Sequence, residues 1–160
     1  MPTNKLPRRA ALRLFLSAIV LPVGAVRANT LPEVTVWKDP KCACCESWIG
    51  YMRQSGFRAS VHETTDMASV KVTQGVPESL QSCHTASIGG YVIEGHVPAG
   101  DIRRLLAEQP QAKGLAVPGM PRSAPGMDQP GEPYTVILFG SASGSRPYAH
   151  HTGTEDADAI

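Results

Sequence analysis

The sequence predicts an α/β domain over about residues 33–109, and three features lead to this prediction. Runs of β-branched and aromatic residues alternate with stretches of helical periodicity, and Gly or Pro separates them. The resulting order is strand, helix, strand, short helix, strand, strand and helix. With 160 residues, 42% of them hydrophobic, the chain can form one small domain. Its composition excludes collagen-like, coiled-coil and wholly disordered chains.

The first strand and the first helix have clear start and stop signals. Residues 34–37 are strand formers, and Asp39-Pro40 ends that strand. Residues 45–55 carry their large apolar side chains at helical spacing, and Gly56 stands where a helix-ending glycine is expected. The pattern therefore places a short cysteine-containing loop between a strand and a helix.

The rest of the domain is predicted from similar signals. Residues 57–62 alternate apolar and polar side chains as a strand does, and residues 67–71 have the pattern of a short helix. Gly89-Gly90 is a hairpin signal between two strand-like runs. Residues 101–106 have helical spacing, with an acidic residue near the predicted N-terminus.

After the last helix the composition changes to a loop rich in Pro, Gly and Met. Residues 114–133 contain two Pro-Gly-Met turns, which carry Met120 and Met127. A buried strand is predicted over residues 134–139, long enough to be added to the main sheet. Residues 141–160 are polar, and we expect them to form a flexible tail.

The first 28 residues have the order of a secretory signal peptide. Arg8-Arg9 precedes an apolar run that is too short and too interrupted to span a membrane, and small residues follow it. Cleavage is predicted after Ala28, with Ala25 as the alternative. The paired arginines leave the general secretory route and the twin-arginine route open. We therefore expect a mature domain over residues 29–140 in the periplasm, with no membrane contact after cleavage.

The charge distribution argues against a nucleic-acid partner. Five of the 15 Lys and Arg residues lie within the predicted leader, which contains no Asp or Glu. The remaining chain therefore has 10 basic residues against 14 acidic ones and no basic cluster. Binding to phosphates requires several clustered cations, so nucleic acid is excluded as the natural partner.

The four cysteines, Cys42, Cys44, Cys45 and Cys83, carry the predicted chemistry. In an exported protein the default expectation is a pair of structural disulfides. Three of these cysteines lie within four consecutive residues, however, and bridges among them would close loops too short to add much stability. Their place between a strand and a helix puts the thiols at a helix N-terminus, where thiolates are favoured.

The spacing of the cysteines constrains how they can share a metal. In a continuous helix Cys42 and Cys45 would share one face, and Cys44 would point away from it. All three converge only if the chain at Cys42 is a loop and the helix begins near Cys44. Soft sulfur ligands suit Cu(I), and thiolates that bridge Cu(I) ions let few cysteines hold several metals. Zn(II) stays open because Cys42 and Cys45 have Cys-x2-Cys spacing, but the extra Cys44 favours copper.

Four short motifs stand out in the mature chain: Lys-Cys-Ala-Cys-Cys-Glu-Ser-Trp at 41–48, Ser-Cys-His-Thr at 82–85, Gly-Tyr-Val-Ile-Glu-Gly-His-Val-Pro at 90–98, and Pro-Gly-Met-Pro at 118–121. Through them the sequence resembles the exported CopG-type copper-resistance proteins over about residues 33–140. The resemblance implies a thioredoxin-like fold, with a central sheet flanked by helices, and a periplasmic role in copper tolerance. It also implies a multinuclear Cu(I)-thiolate cluster on the four cysteines.

Histidines and methionines are secondary candidates for metal ligands. His84 follows Cys83 directly, so strand alternation predicts that its side chain faces away from the site. His96 precedes Val97-Pro98 in a predicted loop and is a candidate for a secondary metal role. Met120 and Met127 could offer thioethers to Cu(I), or could cap the core instead.

Three functions are compatible with these residues. The leading one is a periplasmic protein that holds several Cu(I) ions and sequesters them, transfers them to other copper-handling proteins, or cycles them between Cu(I) and Cu(II). The second is a thiol-disulfide oxidoreductase in which either Cys42 or Cys45 attacks and the other is the resolving thiol; the implied thioredoxin-like fold favours Cys42 as the attacking thiol. The resemblance weakens the second, since related oxidoreductases keep a cis-proline at the position of Ser82-Cys83-His84. The third is a structural module stabilised by zinc or by disulfides.

Overall fold

The computed structural model describes residues 31–127 and 129–153, so the predicted leader lies outside the described residues. Three helices and seven strands follow one another with a short 3-10 turn at Glu78–Leu80. The strands are β1 Val34–Lys38, β2 Ala59–Glu63, β3 His84–Ile88, β4 Tyr91–Glu94, β5 Gly114–Ala116, β6 Tyr134–Ser141 and β7 Gly144–His151. The helices are α1 Ala43–Gln54, α2 Met67–Gln74 and α3 Ala99–Glu108. No helix in this part of the chain is long and apolar enough to cross a membrane.

All seven strands form one mixed sheet in the order β2-β1-β3-β4-β5-β6-β7. The β1/β2 and β4/β5 pairs are parallel, and the other neighbouring pairs are antiparallel. The predicted α/β class, with a central sheet and flanking helices, is therefore confirmed, and a thioredoxin-like core is compatible with it. Because β3 lies beside β1, the start of β3 comes close to the cysteines that follow β1.

The main hydrophobic core joins the central strands to two of the helices. Helix α1 contributes Trp48, Ile49 and Met52, and helix α3 contributes Ile102 and Leu105, all fully buried. Positions 48, 49 and 52 lie on one face of α1, and positions 102 and 105 on one face of α3, as the sequence pattern predicts. Helix α1 is thereby fixed on the sheet, and its N-terminus with it.

Strand β5 is absent from the sequence prediction, which assigned its residues to the Pro/Gly-rich loop. It pairs in parallel with β4, and Gly114 lies opposite Val92. A Cβ atom at residue 114 would overlap the Val92 backbone carbonyl, so this close approach requires glycine. A glycine that the sequence pattern marks as a loop signal is here a condition for strand pairing.

The structure also differs from the predicted polar tail. Residues 144–151 form β7, which pairs with β6 and carries the sheet beyond the predicted domain boundary at residue 140. Most of its side chains are exposed, so no alternation of apolar residues marked it as a strand. His151 Nε2 lies 2.7 Å from Asp101 Oδ2, and the Tyr148 hydroxyl donates to Glu108 at 3.0 Å. These contacts hold β7 against α3.

Candidate metal centre

Three of the four cysteines lie at the N-terminus of α1, and the chain changes conformation between them. Cys42 is the N-cap residue, with extended backbone, and the helix begins at Ala43. The Cys42 N–H donates to the Asp39 carbonyl at 3.0 Å, and the Asp39 carboxylate accepts the Lys41 N–H at 2.8 Å. Because Cys42 stands outside the helix, its sulfur lies only 3.6 Å from that of Cys44. The predicted convergence through a loop at Cys42 therefore occurs.

Cys42 and Cys45 form a disulfide, while Cys44 and Cys83 are free thiols. The bridged residues are only three apart, so the bond closes a short loop and contributes little to stability through chain entropy. Cys45 is fully buried and Cys42 is partly exposed. Opening the disulfide would add two sulfur ligands to the two that are already free.

Cys83 reaches the other cysteines from a different part of the chain. It directly precedes β3, and its sulfur lies 3.9 Å from that of Cys44. All four sulfur atoms lie within 4.8 Å of one another. Burial, together with the neighbouring Cys44, raises the pKa of the Cys83 thiol to about 12. A soft cation would compensate the negative charge that makes the Cys83 thiolate costly here.

Two buried histidines flank Cys83, and one of them corrects a prediction. His84 Nδ1 lies 3.4 Å from the Cys83 sulfur, although strand alternation predicts that this side chain faces away. The alternation rule does not hold here because Cys83 precedes the first residue of β3. Burial, with His96 and then Lys71 nearby, lowers the pKa of His84, so its ring is neutral.

His96 approaches the same sulfur through one ring nitrogen and is anchored through the other. Its Nε2 lies 3.2 Å from the Cys83 sulfur, and its Nδ1 donates to the Pro125 carbonyl at 2.7 Å. Because the carbonyl can only accept, Nδ1 carries a proton, and in the neutral ring Nε2 then presents a lone pair to Cys83. Cys83, His84 and His96 thus form a second group of ligand atoms within 4.8 Å of one another.

Trp48 closes the inner side of this group. Its ring is fully buried and lies 4.4 Å from the His84 ring, and its N–H donates to the Val97 carbonyl at 3.0 Å. Trp48 thus packs α1 on the sheet. The same contacts keep water away from the histidines.

The two methionines occupy different environments. Met120 is 56% exposed, on a loop whose Gly119 N–H donates to the Gln81 carbonyl at 3.1 Å. The Met120 turn therefore lies beside the chain that leads to Cys83. Met127 is partly buried and packs against the main core.

Sequence inspection missed several charged residues around the centre. Lys38 ends β1 and is fully buried between Glu46 and Glu63, with nitrogen-oxygen distances of 2.8 and 3.2 Å. The hydrogen bond to Glu46 raises the pKa of Lys38 despite its burial. The burial of Lys38 could have been predicted from strand alternation, because Val34, Val36 and Lys38 share one side of β1. A second buried pair, Lys71 and Glu94, lies next to Cys83.

Comparisons with known proteins show the family of the chain. Residues 80–127 match the family described as "Protein of unknown function, DUF411". Two solved structures described as copper resistance protein CopG, forms 2 and 1, are 40% and 39% identical to the chain. Each comparison covers 76% of this chain and 98% of the solved one, with a TM-score of 0.71. No curated protein sequence matches the chain. By identity and coverage, the chain belongs to the CopG family of copper-resistance proteins.

Proposed function

We propose that this protein binds copper in the periplasm and contributes to copper resistance. In its reduced form, Cys42, Cys44, Cys45 and Cys83 hold several Cu(I) ions in a cluster of bridging thiolates. The family relationship supports copper as the metal, because both solved relatives are described as copper resistance proteins. The leader-like sequence of residues 1–28 supports export.

The observation that carries the proposal is the convergence of four sulfur atoms within 4.8 Å. Four thiolates this close repel one another strongly unless cations lie between them. Cu(I) is a soft cation that accepts low coordination by sulfur, so neighbouring ions can share bridging thiolates. Four sulfurs this close could also surround one Zn(II) ion, so the family relationship is the observation that favours copper over zinc.

The disulfide form must be reduced by two electrons before all four cysteines can bind the cluster. Reduction of the Cys42-Cys45 bond consumes two electrons and two protons and yields two thiols. Binding of Cu(I) then displaces the thiol protons, including that of Cys83. Sequestration, transfer to a partner and cycling between Cu(I) and Cu(II) all use this site, and the buried histidines beside Cys83 add nitrogen ligands that suit Cu(II).

An anaerobic Cu(I) titration of the mature protein against a competing chelator tests the proposal. Fully reduced protein is expected to bind about three or more Cu(I) ions per chain with all four thiols protected from alkylation. Protein with the Cys42-Cys45 disulfide intact has two sulfurs fewer and is expected to bind fewer ions. Binding of one ion or none by the reduced protein would reject the cluster.

A second function, thiol-disulfide exchange, is favoured by one observation: the Cys42-Cys45 disulfide at the N-terminus of α1. Cys42 is the more exposed of the two, so it is the sulfur that a substrate thiol could reach. An exchange enzyme would lose reduction of a disulfide substrate in Cys42→Ser and keep it in Cys44→Ser. Loss in both variants, together with loss of Cu(I) binding, would favour the cluster.

A further inference from the structure

A buried network of polar groups lies beside the segment that carries Cys83, and none of its members is a proposed metal ligand. Glu94 ends β4, and its Oε1 lies 2.5 Å from Nζ of Lys71 in α2. The two side chains are 0% and 7% exposed, respectively. A buried ion pair does not by itself guarantee net stabilisation, because both charges lose their hydration. The other partners of the Glu94 carboxylate therefore indicate what the buried charge does.

The Glu94 carboxylate holds the chain on both sides of Cys83. Its Oε1 accepts the backbone N–H of Ser82 at 2.6 Å, and its Oε2 accepts the hydroxyl of Thr85 at 2.6 Å. Lys71 also donates to the Thr85 hydroxyl, at 3.1 Å. One carboxylate thus fixes the residue before Cys83 and the residue two positions after it.

Ser82 is held from two further sides. Its hydroxyl donates to the Gly119 carbonyl. Gly95 packs so closely against it that a Cβ atom at residue 95 would lie 2.6 Å from the Ser82 side chain. Together with the hydrogen bond from Glu94, these contacts fix the peptide that leads into Cys83.

The negative charge of Glu94 is what a similar side chain could not replace. Lys71 Nζ and the Ser82 N–H only donate, and both point at Oε1, whereas the Thr85 hydroxyl at Oε2 can donate or accept. A glutamine has nearly the same shape but no charge, so it weakens the hydrogen bonds from Lys71 and Ser82 and leaves the buried Lys71 cation unbalanced. The substitution Glu94→Gln therefore weakens the network with little change in side-chain volume.

We infer that Glu94 is a positioning residue, whose buried carboxylate sets the Ser82-Cys83 peptide so that the Cys83 sulfur faces Cys44. The inference rests on the proposed thiolate site, because it explains how the fourth sulfur reaches the other three. The sulfur-sulfur distance of 3.9 Å between Cys44 and Cys83 is the quantity that Glu94 controls.

Phenylarsine oxide measures this arrangement without copper. In the form with the Cys42-Cys45 disulfide, Cys44 and Cys83 are the two free thiols. One arsenical can bridge them: two sulfur-arsenic bonds form, the arsenic-oxygen bond breaks, and the oxygen leaves as water with both thiol protons. The apparent affinity for this bridge depends on the relative position of the two sulfurs.

The expected result is a roughly tenfold weaker bridge in Glu94→Gln, the size of one lost charge-assisted hydrogen bond. Thr85→Val removes the Oε2 partner and one acceptor of Lys71 but keeps the carboxylate, and it is expected to weaken the bridge by about threefold. Asp101→Asn is the matched control, since it changes a buried carboxylate to an amide at a helix away from Cys83. This control is expected to bind phenylarsine oxide with the same apparent affinity as the unmodified protein.

Several outcomes would overturn the inference. They are native-like bridging by folded Glu94→Gln, equal weakening in Asp101→Asn, and failure of the unmodified protein to bridge arsenic. If Glu94→Gln does not fold, Thr85→Val decides, and native-like bridging by that variant rejects the positioning role. A native protein that bridges arsenic but does not bind several Cu(I) ions would refute the proposed function and leave the role of Glu94 intact.

Discussion

The cysteine-bearing end of the molecule and its β6/β7 end are held together by different interactions. At the cysteine-bearing end, around α1 and the start of β3, charged and polar groups are buried and paired, as in Lys71-Glu94 and His96-Pro125. At the β6/β7 end, the strands are joined by backbone pairing, and most side chains of β7 are exposed. Buried polar contacts tolerate little change, because a lost partner leaves a group without solvation. The difference predicts that equivalent substitutions have large effects at the first end and small ones at the second.

The largest effect is expected for Cys83→Ser. Cys83 is the one residue shared by the four-sulfur group and the group with two histidines. Its replacement by a hard oxygen ligand should abolish binding of several Cu(I) ions, measured by anaerobic titration. Ser79→Ala, at an exposed position a few residues earlier, is the control and should bind copper normally. Unchanged stoichiometry in Cys83→Ser would remove this cysteine from the site.

The next effect is the loss of stability in Lys71→Met. The substitution leaves the fully buried Glu94 carboxylate without its cation, which typically costs about 3 kcal/mol or more. Urea denaturation with the disulfide intact measures the change in the free energy of unfolding. A change below about 1 kcal/mol would mean that the Glu94 carboxylate takes up a proton or gains water at little cost.

The raised pKa of Cys83 gives a prediction for alkylation. In the disulfide form at pH 8, the folded protein keeps this thiol protonated because its pKa is raised to about 12. Only the thiolate reacts, so alkylation of Cys83 by iodoacetamide should be at least about tenfold slower than in urea-unfolded protein. The rate in the folded protein should rise with pH until the thiol ionises, and mass spectrometry can follow it at this residue. Equal rates in folded and unfolded protein would contradict the burial of the thiol.

The smallest effect is expected at the other end of the molecule, in Arg104→Ala. Arg104 packs over the Tyr148 ring at 3.9 Å, donates to the Tyr148 carbonyl at 2.8 Å, and is exposed. Exposed ion pairs and cation-π contacts contribute about 1 kcal/mol or less each. The same urea experiment should show a small loss of stability, with Cu(I) binding unchanged. A loss as large as that of Lys71→Met would show that the two ends are not built differently.

Much of the fold could be predicted because its core elements carry strong local patterns. The apolar spacing of α1 and the hairpin signal at Gly89-Gly90 led to elements that the structure contains, with boundaries shifted by one or two residues. β5 and β7 were missed for different reasons. β5 depends on Gly114 approaching Val92, and β7 is polar because it lies at the edge of the sheet. Neither property produces a hydrophobic period in the sequence.

The sequence by itself determined the cysteine set and the loop-to-helix transition that brings Cys42 and Cys44 together, because both depend on residues close in the chain. Tertiary structure decided what surrounds Cys83. Its partners are separated from it by sheet pairing and long loops: Cys44 is 39 positions away, and the Pro125 carbonyl fixes His96 from 29 positions away. The same holds for the burial of Glu94 and Lys71, since a charged residue in a sequence looks solvated until the fold encloses it. Local sequence patterns identify the candidate ligands, and tertiary packing sets their protonation and the distances between them.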